Sequence, residues 1–306
     1  MSRPRSVELP PTVRRTSLLT KRGEFAALRA DPPDGPGDRT PALLVPGYSG
    51  SKEDFVALLE PIARAGRPVV AVDQRGQFHT PGPVASAAYT TEALGHDVRA
   101  MVDELAGDGE VHLLGHSFGG LVTRSAVLDS PARIASFTML ASGPGRVVGV
   151  RQRHARLLVE VVSRFGPSVV ATTMQRFEAL RPGPKPSAEI AAFLRSRYET
   201  SSPHALVAMA RAVLTEPDRV DELAGVALPK LVAYGEDDDT WPPAVQAAMA
   251  DRLGARRVVF PGAGHSPNVD TPDELAAALV AFWTDAEDAG ASAPGAEALV
   301  DEEAAS

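Results

Sequence analysis

Short apolar runs alternate with amphipathic stretches of helical period along most of this chain. The runs cover 24–28, 42–45, 69–73, 111–115, 136–140, 230–234 and 257–260. Most are continuously apolar rather than alternating, which is the pattern of strands covered on both faces. Helical period follows at 53–65, 91–105, 118–128, 244–253 and 272–283. The last of these opens with Thr271-Pro272-Asp273-Glu274, an N-cap threonine with proline in the first turn and a glutamate closing a capping box. Strand and helix in alternation predict an α/β fold: a mostly parallel central sheet flanked by helices, with right-handed crossovers.

One stretch breaks the rhythm. From 143 to 225 no strand is evident, and helical segments at 151–165, 169–180, 188–198 and 205–214 are separated by Pro/Gly loops. This reads as a helical insertion after the 136–140 strand. It holds 12 Lys/Arg against 8 Asp/Glu, a mild basic bias that reads first as a solvated surface and would favour acidic substrates only if it faced a binding site. The ends differ in kind from the body. Residues 1–13 are rich in Pro and Arg, and the last twenty are rich in Ala, Glu, Asp and Gly without aromatics, so neither buries enough apolar surface to order itself. The expected organisation is a disordered tail over 1–13, a core over 14–142 and 226–286, the insertion over 143–225, and an acidic disordered tail over 287–306.

Charge narrows the partners. The net charge is −8, and from Asp285 onward there are seven acidic residues and no Lys or Arg, so the body is close to neutral. No basic face emerges of the kind a nucleic-acid binder needs. With no cysteine, the chain has no disulfide, thiolate metal site or Cys nucleophile, and a reducing compartment suits it. Neither a signal-peptide core nor a membrane-length apolar run is present, so a cytoplasmic protein without membrane attachment is expected.

The chemistry begins at Gly115-His116-Ser117-Phe118-Gly119-Gly120, between the apolar run 111–115 and a helical stretch. A Gly-x-Ser-x-Gly sequence at such a junction forces a tight turn, in which side chains two before and two after the serine would collide unless both are glycine. The serine hydroxyl is then presented at the carboxyl end of a strand with a helix N-terminus behind it. The motif alone is weak; its position between strand and helix is what singles out Ser117. Gly264-His265-Ser266 repeats Gly-His-Ser but lacks the second glycine and precedes Pro267.

A serine needs a base, usually a histidine held by a carboxylate. Among seven histidines, His265 stands in a glycine-rich loop that follows the 257–260 strand and can reach across a site. His116, His79 and Trp241 are candidates for a substrate pocket, while His112, His96, His154 and His204 read as packing or surface residues. The strand 230–234 runs into Gly235-Glu236-Asp237-Asp238-Asp239, and one of these acids can turn inward. No spacing of ligands suggests a metal, and no cofactor is required. Two backbone amides should hold an oxyanion: that of Phe118, after the serine, and that of Tyr48, in the loop Pro46-Gly47-Tyr48-Ser49-Gly50-Ser51.

On these residues the chain resembles the α/β-hydrolase fold superfamily, over about 16–283 apart from the insertion. The elbow Gly115-His116-Ser117-Phe118-Gly119-Gly120, the loop Val72-Asp73-Gln74-Arg75-Gly76, the acid loop Tyr234-Gly235-Glu236-Asp237-Asp238 and the base loop Gly264-His265-Ser266 match the family's. The resemblance implies a Ser117–Asp238–His265 triad, since the acid usually lies three residues after the loop glycine. It also implies a helical cap formed by the insertion. Two departures stand out: Pro46-Gly47 where the family usually has His-Gly, and Gln77-Phe78-His79 where it usually continues His-Gly. By this resemblance the chain is a cofactor-independent serine hydrolase of a small acyl substrate, an ester or lactone first. Amide or carbon–carbon cleavage, peracid formation, or a slow-turnover ligand-binding receptor are the alternatives.

Overall fold

The computed structural model describes residues 2–33, 35, 39–180 and 184–291. The strands are β1 (Val13–Thr20), β2 (Gly23–Ala30), β3 (Ala42–Val45), β4 (Val69–Val72), β5 (Val111–His116), β6 (Ile134–Leu140), β7 (Lys230–Gly235) and β8 (Arg256–Phe260). The helices are α1 (Val56–Arg64), α2 (Thr91–Ala106), α3 (Phe118–Asp129), α4 (Gly149–Phe165), α5 (Val170–Ala179), α6 (Ala188–Thr200), α7 (Pro203–Thr215), α8 (Val220–Ala224), α9 (Pro243–Leu253), α10 (Pro267–Asp270) and α11 (Pro272–Ala291). The strands form one sheet in the order β1-β2-β4-β3-β5-β6-β7-β8. Only the β1–β2 and β2–β4 pairs are antiparallel; the remaining pairs are parallel.

The inner strands are buried and largely apolar because both of their faces are covered. In β5 the adjacent Leu113 and Leu114 are both fully buried, on opposite sides of the sheet. Leu113 packs with Leu43 and Val70 under Val98 of α2 and Leu121 of α3. Leu114 packs with Leu44 and Ala71 under Leu58 of α1 and Leu279 of α11. Each such leucine contributes about 1.5–3 kcal/mol by leaving water. The parallel strands end on one edge of this sandwich, and the loops leaving β3, β5, β7 and β8 carry the residues of the site. No helix among the described residues is long and apolar enough to cross a membrane.

The helices α4 to α7 lie within one to two residues of their sequence-based bounds. Other expectations differ. Residues 52–55 form a 3-10 turn ahead of α1, so the 53–65 helix is interrupted at its start. The strand β1 was not foreseen: only Val13 and Leu18 are buried along it, so this edge strand shows little apolar signal. Its full pairing with β2, Val13 to Ala30 through Thr20 to Gly23, supplies the order that side-chain burial does not.

The segment before β1, expected to be disordered, lies against the body. Ser2 is buried with its hydroxyl 3.0 Å from that of Ser266, and Arg3 Nη2 is 2.6 Å from Glu178. Arg67 and Glu287 likewise correct the boundary at 287: Glu287 belongs to α11 and accepts from Arg67 Nη1 at 2.6 Å. Residues 292–306 lie outside the described residues.

Candidate active site

Between β5 and α3, Ser117 is a single residue at φ 55°, ψ −123°. The conformation is held from both sides: its amide donates to the Leu140 carbonyl at 2.8 Å, and its own carbonyl accepts from Gly120 N at 2.9 Å. Two glycines make the turn possible. A Cβ on Gly119 would lie 2.5 Å from the carbonyl oxygens of Val45 and Pro46, and one on Gly47 would lie 2.9 Å from the Ser117 Cβ. The loop after β3 and the elbow therefore touch backbone to backbone.

Ser117, His265 and Asp238, far apart in sequence, form one hydrogen-bonded chain. His265 Nε2 lies 2.9 Å from Ser117 Oγ, and His265 Nδ1 lies 2.9 Å from Asp238 Oδ1. With the ring proton on Nδ1 donated to the carboxylate, Nε2 is free to accept the serine proton. Asp238 is the one acid of its cluster that is buried; Glu236, Asp237 and Asp239 are exposed. Its Oδ1 also accepts from Thr240 N, and its Oδ2 from Gln246 Nε2, both at 2.8 Å. Burial pushes the Asp238 carboxyl up, but His265 and these donors outweigh it and hold it below its ordinary value. Burial lowers His265, and Asp238 only partly restores it. The pair is thus a neutral imidazole beside a carboxylate, the state a general base requires.

The loop carrying the Tyr48 amide is clamped by two glutamines that the sequence did not single out. Gln74 Nε2 donates to the Pro46 carbonyl at 2.7 Å, and Gln77 Nε2 to the Gly47 carbonyl at 2.9 Å. Gln77 is one of the two departures from the family pattern, and this clamp gives it a role. Among the described residues neither the Tyr48 nor the Phe118 amide is engaged by an acceptor. Both residues line the chamber above Ser117.

That chamber measures about 70 Å³, and the helical segment contributes Val147, Leu158, Met174 and Val213 to its lining beside Ser117. His116 and Trp241, two of the three pocket candidates, line it. His116 donates from Nε2 to the His265 carbonyl at 2.9 Å, so it also steadies the base loop. Burial and then the neighbouring His265 push it down to about 3, so it stays neutral. Trp241 lies with its ring 6.2 Å from that of His265. The third candidate, His79, is not in the chamber wall: it is exposed, stacks on Phe78, and meets Lys52 Nζ at 2.8 Å through Nδ1. Asp54, Arg151 and Ser2 line the chamber without having been foreseen, because nothing in their local sequence marks them.

A parallel sheet with a serine elbow at its carboxyl edge and an Asp–His pair beside it defines a hydrolase framework. Residues 42–278 match the Alpha/beta hydrolase family, and the chain belongs to it. It is 28% identical over 258 residues to a non-heme haloperoxidase of Rhodococcus erythropolis, covering 80% of this chain and 93% of the relative. It is 30% identical over 270 residues to the putative carbamate hydrolase RutD of Variovorax paradoxus, covering 86% and 97%. Among solved structures it is similar to a thermophilic esterase from Thermogutta terrifontis, with TM-score 0.68 and 25% identity over 89% of this chain and 99% of that one.

Proposed function

We propose that this hydrolase is a cofactor-independent serine esterase acting on a small, fairly apolar ester or lactone through an acyl-enzyme. The observation that carries the reading is the continuous chain Ser117 Oγ–His265–Asp238, at 2.9 Å in each step, on a strained elbow. His265 takes the Ser117 proton as Oγ attacks the substrate carbonyl, and the Tyr48 and Phe118 amides receive the oxyanion. Asp238 fixes the imidazole tautomer and stabilises its charged form. His265 then protonates the leaving alcohol and activates the water that releases the acid. The segment 143–225 serves as a cap whose apolar side chains shape the acyl site.

The size of the chamber, about 70 Å³, supports a small substrate. The test is hydrolysis of p-nitrophenyl esters by the wild type and by Ser117→Ala. Turnover in the wild type and its loss in a folded variant support the reading. Equal activity in both would remove Ser117 from the mechanism.

A further inference from the structure

Among the chamber residues supplied by α4, α5 and α7, Arg151 alone carries a permanent charge; its neighbours there are apolar apart from His154. Arg151 lies in the first turn of α4. A guanidinium offers five N–H donors, yet only Nη2 is used, at 3.1 and 3.3 Å from the two carboxylate oxygens of Asp239. Its Nε is shut off from solvent with no acceptor among the described residues. Asp239 has a side chain 61% exposed against 20% for Arg151, so the acid sits on the solvent side of the pair.

The other permanently charged residue of the chamber, Asp54, is buried and paired with Arg197 at 2.8 Å, whereas the Asp239 partner of Arg151 is mostly exposed. Burial and then the charges of Arg151 and Arg153 push His154 down, which keeps it an uncharged donor. Nη1, neither bonded nor sealed off among the described residues, is the donor left for a ligand oxygen, and a carboxylate suits it because its charge answers that of the planar guanidinium.

We propose that Arg151 is a carboxylate anchor, and that the natural substrate is an ester or lactone bearing a second, free carboxylate. This rests on the ester-hydrolase reading and narrows it: the anchor holds the acid end while the ester carbonyl meets Ser117. The surplus of 12 basic over 8 acidic residues in 143–225 acts in the same direction by drawing anions to that side.

The test compares monomethyl succinate, glutarate and adipate with neutral methyl esters of equal chain length, with methanol release as the readout. For at least one length the wild type should prefer the half-ester in kcat/KM. Arg151→Met should lower that preference tenfold or more, and Arg151→Lys should keep part of it. A wild-type preference for the neutral ester at every length, or a ratio unchanged in Arg151→Met, overturns the anchor. If the wild type cleaves none of these esters, the ester reading fails by itself. Glutarate binding, followed by the emission of the chamber residue Trp241, then decides the anchor. Affinity at least fivefold weaker in Arg151→Met upholds it, and equal affinity or no binding overturns it.

Discussion

Ser117 holds a backbone conformation that costs a non-glycine residue about 1–3 kcal/mol. It is not alone: Ser49, Phe78, Arg133 and Ala141 also have positive φ, and all of these but Arg133, which precedes β6, follow the carboxyl end of a strand, as Ser117 does. Beside it, burial keeps His265 neutral below the ordinary histidine range. The proposed mechanism needs the neutral base, so it predicts that kcat/KM rises with pH through one limb with its midpoint below about 6.5 and stays level above it. Asp238→Asn should cut kcat by about 10³–10⁴-fold by releasing the tautomer. A pH–rate series on both proteins checks each point. At this scale Ser117 and His265 were legible because each sits in a short local motif. Asp238 could be chosen from its four-acid cluster only by the family's spacing, and burial is what separates it from its neighbours. Gln74, Gln77 and Gln246 were not legible, since a glutamine's value here depends on a distant carbonyl or carboxylate that no local pattern announces.

Elements are joined by a few polar clusters, and one that is partly buried lies near the end of α11. Glu287 accepts from Arg67 Nη1 and Nη2 at 2.6 and 3.1 Å, from the Thr40 amide at 3.1 Å, and from Arg39 Nη1 at 3.0 Å. Burial raises its carboxyl, but the bonds and charge of Arg67 and the contact with His112 prevail and hold it at about 2. Glu287→Gln should therefore lose about 1–3 kcal/mol at pH 7, read from urea unfolding. A depressed carboxylate stabilises above its unfolded value and ceases to do so as it is protonated. The deficit of the variant should thus shrink as pH falls from about 4.5 towards 2. This cluster also explains why the boundary at 287 was misplaced: past Trp283 the helix has little apolar signal, and a charged partner across the fold holds it instead. The edge strand β1 was missed for a related reason, its order coming from backbone pairing. Buried strands and amphipathic helices, which carry their own pattern, were placed to within a few residues.

Across the whole molecule, the helices of 143–225 complete a wall that the sheet alone lacks. A buried ion pair fastens the two parts: Arg197 of α6 donates to Asp54 at 2.8 Å and to the Ser2 carbonyl at 3.1 Å. The sequence showed that an inserted helical segment existed but not which of its side chains face Ser117, because that depends on how four helices settle on the sheet. The chamber's size sets an expectation for selectivity. Against p-nitrophenyl esters of increasing acyl length, kcat/KM should be highest for short chains, with Met174→Ala moving the optimum to longer ones. Each added methylene is worth about 10-fold or more in a fitted pocket, so the shift is readable. Equal rates from acetate to laurate would show that the wall does not bound the acyl group.

The central claim is that Ser117 is an activated nucleophile. The most direct measurement is the intact mass of the protein after treatment with a fluorophosphonate, followed by peptide mapping. The account predicts one adduct per chain, on Ser117, absent from Ser117→Ala and much slower to form in His265→Ala. An unmodified wild type, or an adduct on another residue, would contradict it.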